Sequence, residues 1–248
     1  MVFTTNGIVL RTTRYGETSI ITQIYTELFG IQSYIVKGVH QLTRRKPAQA
    51  VYFQPGAILA LEVYHHQQKQ LQFIKEFGWS YIYQNVLTDV KRHTVTLYIV
   101  ELLQHSLQQP EAHVELFYLT KEVLQLTDTC QDAFIANLPI YFTLQAAAIL
   151  GFQIQGEYSA ITPWLDLQEG FYVSGRPNHE YVMENESAKA TAALLHILPE
   201  QMEHIDEVVL NQNIRRNILQ SLQLYLALHI PGFGKLKSLA ILQEILSA

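Results

Sequence analysis

The chain has 248 residues and a mass of 28.5 kDa, a length for one or two domains. Hydrophobic residues make up 48% and charged residues 16%, which excludes intrinsic disorder, collagen and an extended coiled coil. Cys130 is the single cysteine, so neither an intramolecular disulfide nor a four-cysteine zinc site can form.

The opening, Met1–Asn6, has no basic segment ahead of an apolar stretch, so no secretory signal is expected. From Gly7 to Phe77 the pattern is strand-like. Short runs rich in β-branched and aromatic residues (Ile8–Leu10, Ile20–Tyr25, Tyr34–Val36, Ala57–Tyr64, Leu71–Ile74) suit a pleated, half-buried surface. Turn residues punctuate them at Tyr15–Glu17, Phe29–Gly30, Lys37–Gly38 and Pro55–Gly56, and His65–Lys69 reads as a hairpin loop. Five short strands with no long helix between them point to a small β-barrel.

After Tyr83 the period changes to that of a helix. Val95, Tyr98, Ile99, Leu102 and Leu103 share one face, as do Leu116, Leu119, Val123 and Leu126. Asp132 is placed to cap a helix running to about Leu150, with a kink expected at Pro139 because proline lacks a backbone donor. The longest near-apolar run, Ala146–Phe152, is far short of the roughly 20 residues that span a bilayer. A soluble cytoplasmic protein that touches no membrane is the expectation. Between Phe152 and Glu186 the helical pattern lapses, and Trp164–Val173 reads as a compact loop with a short strand pair. Ile214, Ile218, Leu222 and Leu226 form a stripe at i+4 spacing behind a plausible N-cap, Asn211. Leu236, Leu239, Leu242 and Leu246 share a face of a last helix, opened by Pro231–Gly234.

Charge divides at the same place as period. Residues 1–80 carry eight Lys/Arg against four acids, a net +4, whereas residues 81–248 carry nine against eighteen, a net −9. Two regions with different partners are implied. No catalytic constellation stands out: His65, His66 and Cys130 are the residues an enzymatic reading would use, and none has supporting neighbours. No phosphate-binding glycine loop and no metal-ligand spacing occur, so no cofactor and no metal are expected.

The basic residues carry more. Lys37, Arg44, Arg45 and Lys46 lie in or beside one loop after the third strand, Arg11 and Arg14 flank the first turn, and Tyr15, Tyr34, Tyr52 and Phe53 are interleaved. Cations that track phosphates beside aromatic rings that stack on bases are the usual means of holding a single nucleic-acid strand on such a barrel. In the second region Arg215 and Arg216 sit in the first turns of one helix, and Lys235 and Lys237 at the start of the next. Cations there oppose the helix dipole, which suggests an anion site with Leu219 and Phe233 as apolar neighbours.

These segments match a known family. Gly7–Ser19 (GIVLRTTRYGETS) resembles the opening of the recombination-mediator family RecO. Tyr25–Gly30, Tyr34–Val39, the basic stretch Arg44–Lys46, Gln54–Pro55 and the closing Gly234–Leu239 are similar to further elements of that family. The resemblance implies an α+β chain: an N-terminal OB-fold over 1–80 that binds DNA, then a larger all-α helical domain over 81–248. It also implies a non-catalytic role in DNA repair, the response to DNA damage and recombination by the RecF pathway. Such proteins bind single- and double-stranded DNA, anneal complementary strands and, with RecR, load RecA onto DNA coated by single-stranded-DNA-binding protein (SSB). They also grip the acidic C-terminal tail of SSB, for which Arg215, Arg216, Lys235 and Lys237 are the candidates, while Arg11, Arg14, Tyr34, Lys37, Arg44, Arg45 and Lys46 are the candidates for DNA. Many relatives carry a four-cysteine zinc-finger motif in the helical domain. The corresponding region here, about 152–185, has no cysteine, so packing of Trp164, Phe171 and Tyr172 is expected to hold an irregular insertion without zinc. The alternative is a non-catalytic adaptor whose barrel binds an acidic protein partner.

Overall fold

The computed structural model describes residues 1–39 and 49–246. They form two compact units: residues 1–84 together with 107–125, and residues 85–106 together with 126–248. The sequence suggests a single cut near residue 80, but residues 107–125 group with the barrel.

The first unit is a closed barrel of five strands, β1 (Val2–Tyr15), β2 (Ser19–Thr26), β3 (Gly30–Val36), β4 (Ile58–Tyr64) and β5 (Leu71–Tyr81), in the order β1-β2-β3-β5-β4. This is the OB-type arrangement. β1 and β5 are far longer than the apolar runs that announce them. β1 pairs with β4 through Val2–Ile8 and with β2 through Gly7–Tyr15, shifting register between Val9 and Arg11. That shift bends the strand so that one segment serves both sides of the closure. The circle is completed by a short parallel ladder, Ser33↔Leu71 to Ile35↔Phe73. Inside lie Val9, Ile20, Ile24, Tyr34, Val36, Phe53, Leu59, Leu61 and Val63, all buried. Two glycines are required by close approach. A Cβ on Gly7 would sit 2.6 Å from Ile24 Cγ2 and 2.8 Å from Leu61 Cδ1. Gly30 has φ +61° and would bring a Cβ 2.1 Å from the Glu111 carbonyl oxygen.

Helix α2 (Val114–Thr129) follows, and its first part belongs to this unit. Phe117 packs edge-on against Tyr25 with centroids 5.5 Å apart, and the Tyr25 hydroxyl donates to the His113 carbonyl at 2.7 Å. The Tyr118 hydroxyl donates to Glu27, which also accepts from the Asn6 side chain.

The second unit contains α1 (Val90–Ser106), α3 (Asp132–Ile149), α4 (Asn185–Leu195), α5 (Gln212–His229) and α6 (Lys237–Ile245). α3 is its core: twelve of its eighteen residues are buried. It is the one helix among the described residues long and apolar enough to cross a membrane, and most of it is buried inside the protein. Its N-cap position is Gln131, so Asp132, expected to cap it, is instead its first residue, and it runs unbroken through Pro139. Asn211 caps α5, accepting from the Ile214 amide at 2.9 Å. The segment without helical period is a three-stranded sheet, β7-β6-β8, of β6 (Trp164–Asp166), β7 (Phe171–Val173) and β8 (Val182–Met183). Its turn is held by Asp166, whose Oδ1 accepts from the Gln168 and Glu169 amides while Oδ2 lies 3.3 Å from His179 Nε2. Tyr172 is buried and donates to the Ala188 carbonyl, and Arg176 lies over the Trp164 ring. Phe171 is a correction: it stands on the solvent side, 44% exposed, because strand alternation turns its neighbour Tyr172 inward instead.

Gly30→Ala should cost about 2 kcal/mol or more, since a left-handed non-glycine residue alone costs roughly 1–3 kcal/mol and the Glu111 backbone must also move. The check is a lower urea midpoint with an unchanged m value.

Candidate nucleic-acid interface

Strand alternation decides what the barrel offers to solvent. Partners across the ladders read Thr13↔Ile21↔Ile35↔Phe73↔Tyr64↔Val2, one continuous row around the outside. Tyr64 is 48% exposed and Phe73 43% exposed. The neighbouring row on the same face runs Arg11↔Gln23↔Ser33↔Leu71. Exposed aromatic rings in register beside a cation form a platform on which flat bases can stack.

The cations stand toward one end. Arg11, Arg14 and Lys37 are all exposed. Arg14 pairs in register with Ile20, and Ile20 with Val36, so Lys37 follows directly on the row that holds Arg14. The Arg14 guanidinium folds over its own turn, donating to the Gly16 and Glu17 carbonyls at 3.3 Å each. Tyr15, 54% exposed, ends the same strand. Arg44, Arg45 and Lys46 lie outside the described residues.

Tyr34 is a correction to the sequence expectation. It is fully buried in the barrel core, where burial raises its hydroxyl pKa, so no base can reach it. Its inward parity follows from β3, in which Tyr34 and Val36 face in while Ser33 and Ile35 face out. Phe53 is core as well, and Tyr52 is stacked on Trp79 with centroids 4.6 Å apart. Tyr64 and Phe73 escaped the sequence reading. A signal for Tyr64 was present in β4, because Glu62 two residues before it marks the outward parity.

The four basic residues of the helical unit are not gathered into one site. Arg215 is a structural clamp: its Nε donates to Asn137 Oδ1 at 3.1 Å and a terminal nitrogen to the Leu210 carbonyl at 2.7 Å. Burial lowers its pKa. Arg216 is exposed and lines a shallow pocket with Arg215, Leu219, Gln243 and Leu246. Phe233 is buried and does not line it. Lys237 opens α6 six residues before Gln243, about 9 Å away at 1.5 Å per residue. The anion at that helix start is already supplied by the chain. Glu101 Oε1 accepts from the Lys237 amide at 3.0 Å, and Oε2 accepts from the Ser238 amide at 2.7 Å and the Ser238 hydroxyl at 2.5 Å. Burial raises the Glu101 pKa, but hydrogen bonds from Ser238 and Lys237 and the nearby His105 outweigh it, so the net shift is downward. The reading of Lys235 and Lys237 as flanking an open anion site at this helix start is therefore corrected.

Burial pushes the Cys130 thiol up to about 11, which leaves it protonated and unreactive at neutral pH. Among the described residues no three His, Cys, Asp or Glu side chains gather to hold a metal.

Comparison with known proteins places both units. Residues 1–83 match the family model described as recombination protein O N terminal, and residues 87–240 match recombination protein O C terminal. The chain is 26% identical over 246 residues to a DNA repair protein RecO of Azobacteroides pseudotrichonymphae, covering 99% of each chain. It is 28% identical to proteins of the same description from Christiangramia forsetii, over 99% of each chain, and Flavobacterium johnsoniae, over 100% of each.

Two predictions follow from the clamps in the helical unit. Arg215→Ala should lower stability by about 1–3 kcal/mol by leaving Asn137 and the Leu210 carbonyl without a donor, while Arg216→Ala should leave the thermal midpoint nearly unchanged. Glu101→Ala should cost about 1–2 kcal/mol through loss of the α6 cap. Because the folded carboxyl has the lower pKa, its contribution is complete above the ordinary carboxylate range and fades as pH falls through the folded value. Urea titrations of wild type and Glu101→Ala should therefore converge in acid.

Proposed function

The chain belongs to the RecO family of DNA repair proteins, and we propose that within it the chain acts as a recombination mediator that performs no bond chemistry. The barrel is read as the DNA-binding unit. Phosphates of a single strand are held by Arg11, Arg14, Lys37 and the segment Arg44–Lys46, and bases lie on the outward row through Ile35, Phe73 and Tyr64. The observation that carries this reading is the row itself, in which two exposed aromatic rings stand in direct register beside Arg11's row. Stacking is worth about 1–3 kcal/mol per base and tolerates any sequence, as pairing of complementary strands requires.

Duplex DNA would use the same cations without the stacking row, since its bases face one another. Annealing follows if two strands are neutralised on the basic end of the barrel while their bases remain accessible. The helical unit, with most of the chain's acidic residues, is read as the surface for proteins: RecR, and through it RecA. Arg216 is exposed beside Gln243 and Leu246 at a small apolar dimple of about 10 Å³ and offers a cation next to apolar surface. That combination suits the acidic, hydrophobically terminated tail of single-stranded-DNA-binding protein. A cytoplasmic, nucleoid-associated location accompanies this reading.

The test is the affinity for a fluorescent single-stranded oligonucleotide across a salt series. A log–log slope near 0.7 per phosphate contact on single strands is expected, and Arg44/Arg45/Lys46→Ala should flatten it. Tyr64→Ala with Phe73→Ala should instead leave the slope and weaken binding by about 1–3 kcal/mol per ring. A weak, salt-independent response in the wild type would overturn DNA binding and favour an adaptor for acidic proteins.

A further inference from the structure

The outward face of β2 and β3 continues into a cleft of about 690 Å³, lined entirely by residues of the barrel unit. Gln23 and Ser33, in Arg11's row, lie on its wall, and Ile31 continues the same outward parity. The facing wall is the β4–β5 loop with Gln67, Gln68 and Gln70; the remaining side is the segment with Gln108 and Gln109. With Gln32, seven glutamines surround one space. Among its described lining residues, Lys69 alone carries a permanent charge. The floor is apolar: Phe29 is stacked on His65 at 3.9 Å and 9°, with Phe3 edge-on to both. Burial and the neighbouring His66 and N-terminal charges lower the His65 pKa, so this ring adds no charge at neutral pH.

Both walls are held in place. Gln72 is buried, and its side chain accepts from the His66 amide at 3.0 Å and donates to the His66 and Lys69 carbonyls at 2.9 and 2.6 Å. The loop that carries Gln67, Gln68 and Gln70 is thereby pinned from below. The opposite segment is fixed by the Tyr25 hydroxyl on the His113 carbonyl and by the close approach of Glu111 to Gly30. Preorganised walls reduce the entropy lost when a ligand enters.

We propose that this cleft receives the edges of unpaired nucleobases, and that it adds to the stacking row in making the barrel favour single strands over duplex. The proposal rests on the reading of the barrel as a DNA-binding unit. A primary amide carries both donors and an acceptor, and every base edge presents at least one of each. Gln32 donates to the Phe29 carbonyl at 2.8 Å, but by rotating, the exposed Gln67, Gln68 and Gln70 can serve any base, so the site is tolerant of sequence. Phosphates do not belong there, because a single lysine cannot neutralise a strand; they remain on Arg11, Arg14 and Lys37. A base already paired in a duplex has its edge occupied and gains nothing from the cleft. The volume falls in the roughly 300–1,000 Å³ range of small-ligand sites, room for bases but not for a helix.

The experiment compares full-length wild type with Gln67/Gln68/Gln70→Ala, three exposed loop residues, by fluorescence anisotropy on three probes. These are a mixed-sequence single strand, the matching duplex, and a single strand of the same length containing abasic sites. The variant should bind the single strand about tenfold more weakly, the equivalent of one or two hydrogen bonds, and the duplex as wild type does. The abasic strand, which loses the stacking row as well, should bind wild type at least as weakly as the normal strand binds the variant, and the variant should bind it no more weakly than wild type does. Equal losses on single strand and duplex, or an unchanged ratio, would overturn the cleft proposal while leaving DNA binding standing. Failure of wild type to bind any of the three probes would overturn both.

Discussion

The bend in β1 is the constraint on which the barrel depends. A strand that pairs with β4 through its first half and with β2 through its second must change direction, and it does so at the register shift between Val9 and Arg11. The main chain stays satisfied through the corner: the Val9 amide donates to the Ala57 carbonyl, and the Gly56 amide to the Val9 carbonyl. Gly7 stands at the handover, paired with Thr26 on one side and Leu59 on the other, where any side chain would strike Ile24 and Leu61. Closure removes the free strand edges that an open sheet would leave exposed. It also fixes, for every strand, which alternate residues face the core.

The candidate interface is a consequence of that parity. A one-residue change of register would exchange the two faces of a strand. With the observed register, Tyr34 fills the core, while Ile35 joins Phe73 and Tyr64 on the outside. The same alternation carries Ser33 and Gln23 to the mouth of the glutamine-lined cleft. The proposed division of labour is therefore spatial: Arg14 and Lys37 toward the hairpin end, flat rings across the middle, and neutral amides at the far side of the same face, with Arg11 on the row that leads to them. Each part suits a different portion of a nucleotide, because charge, π-surface and hydrogen-bonding edge need different side chains.

In the helical unit, polar residues that look superficial in the sequence serve as internal fasteners. Asn137 on the core helix α3 donates to the Ile205 and Val208 carbonyls and accepts from Arg215. Arg92 donates to the Thr127 and Cys130 carbonyls while paired with Asp89 at 3.3 Å. Glu101 closes the start of α6. Each group satisfies backbone atoms left over at helix ends, where a buried carbonyl or amide without a partner is costly. A count of surface charges therefore overstates what this unit offers a partner: Arg215 is committed to the fold, whereas Arg216, one residue on, is exposed.

Much of this was legible from the amino acids alone. Alternation and turn residues before Phe77, and helical spacing after Tyr83, determined a barrel followed by helices, and the Asn211 cap was readable because capping is local. The opening motif and the basic residues around the first turn identified the family resemblance and pointed to the end of the barrel that carries the charge. Tertiary structure decided the rest. Whether Tyr34 or Phe73 faces solvent depends on a register set by strands far apart in the chain, as does the meeting of Gln23 with Gln70. The partner of Lys237 and Ser238 is Glu101, 136 and 137 residues away, and no local pattern encodes that distance. Local preference is written in neighbouring residues, whereas the occupancy of a hydrogen-bonding group is known only when the chain has brought its partner to it.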